Sequence, residues 1–446
     1  MIHTEADSET RTDPETRADP EAGPDSEAGP DPEAGPDPEA GPDPEAGTDS
    51  GSGTDSGPET HSGTGTGTDS GPDTTGAEPR GGRPRSVPEL RTALWRAVTD
   101  RDERAAGQVV FGALDSGFSA EEVLLDVIVA VQVRVGSEWA AGRIGVAQEH
   151  AATAIHDRII AAMAHRSAAG AAPGTAGTVT VACVDGEWHS LPARILAEVL
   201  RGRGHEVDFL GAQVPTPHLV AHMHRTAPDV LALSSSLPTR LPAAHTAITA
   251  VQALGIPVLA GGAAFGEDGR HARLLGADAW APDARAAADL LGRGVPRPRA
   301  GTAHPAVDDL PHLTDQEYTL VVRSKARLVR NTLAGLDARL PAMRAYTDAQ
   351  RERTAEDVAH VVDFLSAALY TDDVRLFTGF LDWTADILEA RGVPATVLRP
   401  TLVVLADEVK DFPRALRLLE RGRAVLDARH SRHTVPTPVT PSPDPE

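Results

Sequence analysis

The spacing of apolar residues over residues 87–168 predicts helices. Apolar side chains recur there every three or four positions, for example at Leu90, Leu94 and Val98. Ser119 stands three residues before Glu122, a capping box that marks where a helix begins. The segment therefore predicts a bundle of about four helices, which we call the cap.

Between residues 177 and 292 the spacing changes. Short apolar runs alternate with helical segments of about ten to fifteen residues, a pattern typical of a parallel sheet covered by helices on both faces. The predicted strands are TVTVACV, HEVDFLG, DVLALSSS, IPVLAGG and ADAWAPD. We predict a doubly wound α/β domain, in which ligands bind beyond the carboxyl ends of the strands.

Helical spacing returns over residues 314–430 and predicts an all-α domain. Its expected core positions are Phe364, Leu365, Leu369, Phe377, Phe380, Leu381 and Trp383. Residues 1–86 and 431–446 differ in composition. The first is rich in Pro, Gly and acidic residues and repeats EAG every six positions, and the second is rich in Pro. Such segments bury too little apolar surface to offset the entropy of ordering, so we expect disordered tails.

The charge of the chain is concentrated at its N-terminus. Of the net charge of −23, the first 80 residues carry −18. Since the rest has neither a basic block nor zinc-finger spacing, we expect no direct nucleic-acid binding. The absence of a signal-peptide core and of a long apolar run predicts a cytoplasmic protein without a membrane span. The single cysteine, Cys183, lies in an apolar run and is expected to be buried and inert.

The loop after the first predicted strand contains Glu187 and His189 in the segment DGEWHSLP. A carboxylate beside a histidine accepts its ring N–H, fixes its tautomer and strengthens the other nitrogen as a metal ligand. Two residues alone are weak support for a site. Their place at the carboxyl end of a strand makes them candidate ligands.

Further candidates follow the third and fourth strands. Ser234 and Ser236 offer hydroxyl groups, although loop polarity or helix capping also explains them. Gly261 and Gly262 allow a backbone to approach a ligand closely, although a tight turn needs glycine too. Neither a GxGxxG fingerprint nor a phosphate-binding P-loop is present, which disfavours nicotinamide and nucleoside triphosphate cofactors.

Taken together, residues 87–290 resemble the cobalamin-binding module of corrinoid proteins, a four-helix cap followed by a flavodoxin-like domain. The D/ExHxxG motif of that family corresponds to Glu187–Pro192. The resemblance implies a cobalamin cofactor with His189 as the lower axial ligand of cobalt and Glu187 as its hydrogen-bond partner. Lining of the buried nucleotide tail is implied for Ser234, Ser236, Gly261 and Gly262.

Within the cap, Trp139 is followed after nine residues by Glu149 and His150. A core tryptophan with a solvated pair is one explanation. The spacing also resembles the adenosylcobalamin photoreceptors, light-sensing relatives of MerR-type repressors. That resemblance implies that Trp139 and Val146 pack over the upper axial face, that Glu149 bonds the adenosyl group and that His150 lies nearby. It favours adenosylcobalamin, with methylcobalamin as the alternative.

Two positions depart from these families. Pro192 stands where the motif has glycine, and Ala140 stands where the photoreceptors have a histidine after the tryptophan. The DNA-binding helix-turn-helix of the photoreceptors is also missing.

Three functions remain open at this point. The first is an adenosylcobalamin-dependent light sensor, without a reaction of its own, that acts through a protein partner or self-association. The second is a corrinoid methyl carrier for a separate methyltransferase. The third is a degenerate scaffold without cofactor, suggested by Pro192 and Ala140.

Overall fold

A computed structural model describes residues 86–168, 175–298 and 310–434. Most of the two predicted tails lies outside these residues. The predicted C-terminal boundary at residue 431 is wrong, because the last helix continues to Thr434. Leu426 is the last apolar position of that helix that is buried among the described residues, so the final turns carry no apolar periodicity.

The cap consists of helices joined by short loops, as predicted. Its helices are α1 (Val87–Thr99), α2 (Glu103–Asp115), α3 (Ala120–Glu122), α4 (Val129–Ala140) and α5 (Val146–Ala168). A π-helical segment, Val123–Ile128, joins α3 to α4 into one continuous helix. The capping box is formed: Ser119 Oγ accepts from the Glu122 amide at 3.2 Å, and Glu122 accepts from the Ser119 amide at 2.9 Å.

The α/β part, which we call the sheet domain, has five parallel strands in the described residues. They are β1 (Thr178–Cys183), β2 (Glu206–Gly211), β3 (Val230–Ser234), β4 (Val258–Gly261) and β5 (Ala279–Ala281). Their order is β2-β1-β3-β4-β5, the flavodoxin-like order, so the predicted fold class is confirmed. The helices are α6 (Leu191–Gly202), α7 (Thr216–Thr226), α8 (Leu241–Gln252), α9 (Arg270–Leu274) and α10 (Ala284–Arg293).

The strand register brings four chain segments to one edge. Cys183 of β1 pairs with Ser234 of β3, Ser234 with Gly261 of β4, and Gly261 with Ala281 of β5. The loops that leave these four strands therefore begin side by side at the carboxyl edge of the sheet.

Five helices follow, which we call the C-terminal helices: α11 (Glu317–Arg339), α12 (Asp348–Thr371), α13 (Val374–Ala390), α14 (Leu398–Glu408) and α15 (Pro413–Thr434). Short 3₁₀ segments lie at Pro238–Arg240, Ala263–Phe265, Pro311–Asp315, Pro341–Ala345 and Ala395–Val397. Phe377 and Leu381 are fully buried, as predicted. Trp383 is 47% exposed, so its predicted core position is wrong. Trp383 lies outside the core of the C-terminal helices, on the side of α13 that faces Trp139 of the cap.

Apolar contacts join these parts. One core cluster runs from the cap across α6 and α10 to one face of the sheet. A second covers the other face beneath α7 and α8 and includes Leu313 and Tyr370 of the C-terminal segment. A third is the core of the C-terminal helices themselves. Among the described residues, no helix is both long enough and apolar enough to cross a membrane.

Candidate functional site

Glu187 and His189 form a direct pair in the loop between β1 and α6. His189 Nδ1 lies 2.6 Å from Glu187 Oε1, and the His189 amide donates to the same oxygen at 2.9 Å. A carboxylate oxygen only accepts, so Nδ1 carries the proton and the lone pair belongs to Nε2. His189 is about one-third exposed, and its Nε2 makes no hydrogen bond within the described part of the chain. This geometry leaves Nε2 as the ring nitrogen of His189 that is available to a ligand.

The second oxygen of Glu187 ties this loop to the loop after β3. Oε2 accepts from Ser235 Oγ at 3.1 Å and from the amides of Ser236 and Leu237 at 2.7 and 2.9 Å. The side chain is fully buried. Burial alone would raise the pKa of Glu187, but the hydrogen bonds from His189, Leu237 and Ser236 lower it to about 2. Glu187 is therefore a fixed negative charge behind the histidine.

The indole ring of Trp188 packs against the imidazole ring of His189. The two rings lie 3.6 Å apart between centroids and are inclined by 31°. Trp188 itself is 42% exposed. The stacking and the Glu187 bond together restrict both torsions of His189, so its Nε2 is preorganised.

Ser234, Gly261 and Gly262 line a slot that runs from the carboxyl edge of the sheet beneath α6. The slot has a volume of about 120 Å³ and is mostly apolar. Gly262 has φ of +98°, and a Cβ there would lie 2.3 Å from the Ser235 carbonyl oxygen. Only glycine fits this position. Pro192, the departure from the family motif, occupies the second position of α6 and lines the same slot.

The cap residues form a separate group. Glu149 lies 2.7 Å from Nδ1 of His150, and its other oxygen accepts from Thr153 Oγ1 at 3.0 Å. His150 is exposed, whereas Glu149 and Val146 are half-buried. The first turn of α5 thus presents a half-buried carboxylate with a partner on each oxygen, His150 on one and Thr153 on the other.

A buried polar chain holds that carboxylate. His156 Nδ1 lies 2.6 Å from Gln132 Oε1, and Gln132 Nε2 donates to Thr153 Oγ1 at 2.7 Å, so the Thr153 hydroxyl proton is directed to Glu149. His156 is fully buried, and burial lowers its pKa to about 4. The hydrogen bonds therefore run in one direction, from a neutral His156 at the buried end through Gln132 and Thr153 to Glu149.

Trp139 makes its contacts with the C-terminal helices. Its ring lies 6.5 Å from that of Trp383, and the Arg391 guanidinium carbon lies 5.2 Å from the ring centroid. Among the described residues, no hydrogen bond or ring contact joins the predicted cap residues to the predicted sheet-edge residues. The structure therefore gives two separate groups, one on the cap and one at the sheet edge.

The structure gives three residues a role that the sequence did not assign. Ser235, between the two predicted serines, supplies the hydroxyl that reaches Glu187, while Ser236 contributes its amide. The run of three serines pointed to the loop without indicating which side chain faces inward. Leu237 acts through its backbone amide, which any residue would supply. Trp383 contacts Trp139, which lies 244 positions earlier in the sequence, so the sequence carries no local signal for this contact.

Cys183 is fully buried at the end of β1. Burial, reinforced by the negative charge of Glu187, raises the pKa of its thiol to about 12. The thiol therefore stays protonated at neutral pH, as expected for an inert core residue.

Comparison with protein families identifies both halves of this region. A model described as "B12 binding domain" matches residues 177–290, and another with the same description matches residues 90–163. The chain therefore contains B12-binding domains.

Relatives of known description are corrinoid proteins. The chain is 26% identical over 154 residues to the trimethylamine corrinoid protein of Methanosarcina barkeri, which is 34% of this chain and 71% of that one. The trimethylamine corrinoid protein 1 of Methanosarcina acetivorans is 26% identical over 146 residues, covering 32% and 68%. These matches support a cobalamin or related corrinoid cofactor.

Among solved structures, the monomethylamine corrinoid protein of Methanosarcina barkeri is similar with a TM-score of 0.41 and 17% identity, covering 47% of this chain and 99% of that chain.

Proposed function

We propose that this chain is a corrinoid carrier protein, which binds cobalamin between the cap and the carboxyl edge of the sheet and presents a methyl group to a separate methyltransferase. The single observation that carries the proposal is the Glu187–His189 pair at the sheet edge, which engages Nδ1 of His189 and leaves Nε2 available to a ligand. In this proposal the chain completes no reaction of its own.

The donor set fits cobalamin. Among the described residues, no cluster of three His, Cys, Asp or Glu side chains is arranged to hold a free metal ion. A single imidazole nitrogen is the appropriate donor for a cobalt that the corrin ring already holds by four nitrogens. His189 would bind the cobalt through Nε2, and Glu187 would hold the Nδ1 proton and make Nε2 a stronger donor.

The slot beside Gly261 and Gly262 fits the remaining part of the cofactor. Its apolar lining and missing side chains suit a flat aromatic ring that approaches the backbone closely. Ser234 also lines this slot. These residues would hold the nucleotide tail of the cofactor.

Cobalamin supplies a cobalt that accepts a methyl group and releases it to another nucleophile. The protein's part is to bind, orient and shield. His189 would hold the cofactor at the sheet edge, and the cap residues Trp139, Val146, Glu149 and His150 would cover it. The names of the relatives support this function, and Ala140 lacks the imidazole that the light-sensing family uses after photolysis.

Reconstitution of the full chain tests the proposal. The purified protein is incubated in dim light with methylcobalamin, adenosylcobalamin or hydroxocobalamin and passed through a desalting column. We expect retention near one cofactor per chain, and loss of retention in His189→Ala. His218→Ala, an exposed histidine of α7, is the matched control and should behave like the wild type.

Axial ligation is tested by electron paramagnetic resonance of the cob(II)alamin-loaded protein. A nitrogen splitting that changes on ¹⁵N-histidine labelling supports His189 as ligand, and an unchanged splitting contradicts it. If illumination alters the self-association of the adenosylcobalamin-loaded protein, the carrier proposal is overturned in favour of a light sensor. Wild-type protein that retains no cobalamin supports the degenerate scaffold instead.

A further inference from the structure

Helix α13 connects the sheet domain to the cap. Before its first turn, Asp373 Oδ2 lies 3.2 Å from Arg270 Nη1 and 3.2 Å from His271 Nε2, both near the carboxyl edge of the sheet. The Asp373 side chain is only 11% exposed. An ion pair that is largely removed from water fixes this end of the helix more firmly than a surface pair would.

The far end of α13 contacts the end of α4. Arg391 lies over the Trp139 ring at 5.2 Å and donates from Nη2 to the Trp139 carbonyl oxygen at 3.4 Å. A Cβ on Gly142 would lie 3.0 Å from the Ala390 carbonyl oxygen, so the two backbones approach closely here. Burial lowers the pKa of Arg391, although its guanidinium stays charged.

Trp383, in the middle of α13, lies beside the indole ring of Trp139. Trp383 and Arg391 are eight residues apart, so they lie on one stripe of the helix. The two indole rings are inclined by 42°. Since α13 has 17 residues, it is a rod about 25 Å long between its two attachments.

We infer that Trp383 and Arg391 are positioning residues of the cofactor site, which hold Trp139 in place at the end of α4 and put a second indole beside it. The inference rests on the proposed function for the role of Trp139 toward the upper axial ligand. The attachment of α13 to the cap is independent of that role. The C-terminal helices are then a brace that limits how far the cap opens.

The brace is measured first without cofactor, by hydrogen–deuterium exchange of the full-length protein. The reporters are the amides of Gly142 and Arg143, which bond to the carbonyls of Trp139 and Glu138 at 2.9 Å. We expect exchange about fivefold faster in Trp383→Ala and in Arg391→Ala, the factor that corresponds to about 1 kcal/mol for one such contact. Arg391→Lys keeps the charge and should recover part of the protection.

Tyr346→Ala is the control, because it removes another partly exposed aromatic ring of the C-terminal helices, after Pro341–Ala345. It should leave both reporter amides unchanged. Trp383 is half exposed, so its replacement should preserve the fold, which circular dichroism checks. Unchanged reporter exchange in both Trp383→Ala and Arg391→Ala overturns the brace, whatever the protein binds.

The cofactor arm follows with methylcobalamin-loaded protein. We expect Trp383→Ala to release methylcobalamin about fivefold faster into excess free hydroxocobalamin and to shift its visible absorption, while His189 ligation is unchanged. A wild type that retains no methylcobalamin contradicts the proposed function, whereas the brace is still supported or overturned by the amide exchange. If Trp383→Ala exchanges the reporter amides faster but releases methylcobalamin at the wild-type rate with an unchanged visible spectrum, the link between the brace and the cofactor is overturned.

Discussion

Glu187 accepts hydrogen bonds on both of its carboxylate oxygens. Oε1 lies 2.6 Å from Nδ1 of His189, and Oε2 accepts from Ser235. Oε2 thus reaches the loop after β3, almost fifty residues further along the chain. A single carboxylate therefore sets the histidine tautomer and links two loops at the sheet edge. Because of this double role, replacing Glu187 tests whether the carboxylate organises the site.

We expect Glu187→Gln to weaken cobalamin binding about 10- to 100-fold. A glutamine presents one acceptor oxygen, so either the His189 side or the Ser236 and Leu237 amides would face an NH₂ group instead. Titration of the apo protein followed by absorbance measures the loss. Glu206→Gln, an exposed change at the start of β2, is the control; equal affinities for the two variants would contradict a role for the carboxylate.

Gly262→Ala should unfold more easily than a matched glycine variant. Gly276 has φ of +72° with nothing within 4 Å of its hypothetical Cβ, so Gly276→Ala reports backbone strain alone. At Gly262 the added Cβ would also displace the Ser235 carbonyl. We expect a free energy of unfolding lower by about 2 kcal/mol than in Gly276→Ala, measured by urea denaturation. Similar values for both variants would show that the serine loop moves freely.

Burial of His156 predicts a specific pH dependence of stability. Its pKa is about 4 when folded and 6.5 when unfolded, so the unfolded chain binds more protons between these values. Stability is therefore unaffected above pH 6.5 and falls as the pH decreases from 6.5 toward 4, by up to about 3 kcal/mol.

Replacing His156 by glutamine should remove this component. Urea denaturation of both proteins at half-unit intervals from pH 8 to pH 4.5 isolates it, because all other groups titrate alike in the two chains. A difference between the proteins that stays constant with pH would mean that His156 is solvated when folded.

Local chemistry in the sequence was sufficient for several features. The Ser119–Glu122 capping box forms between residues three positions apart, so no distant contact is needed to predict it. The apolar runs became strands, and their alternation with helices predicted the parallel sheet and thus the edge at which sheets of this kind bind ligands. The Glu187–His189 pair was also visible, because its two members share one loop.

Tertiary structure alone decided the rest. Which serine reaches Glu187 depends on how the β1 and β3 loops meet, and the answer was Ser235 rather than its neighbours' hydroxyls. Trp383 has the helical spacing of a core residue, yet it lies beside Trp139 because the C-terminal helices pack against the cap. Periodicity identifies that a helix has an apolar face, but it carries no information about which distant surface covers that face.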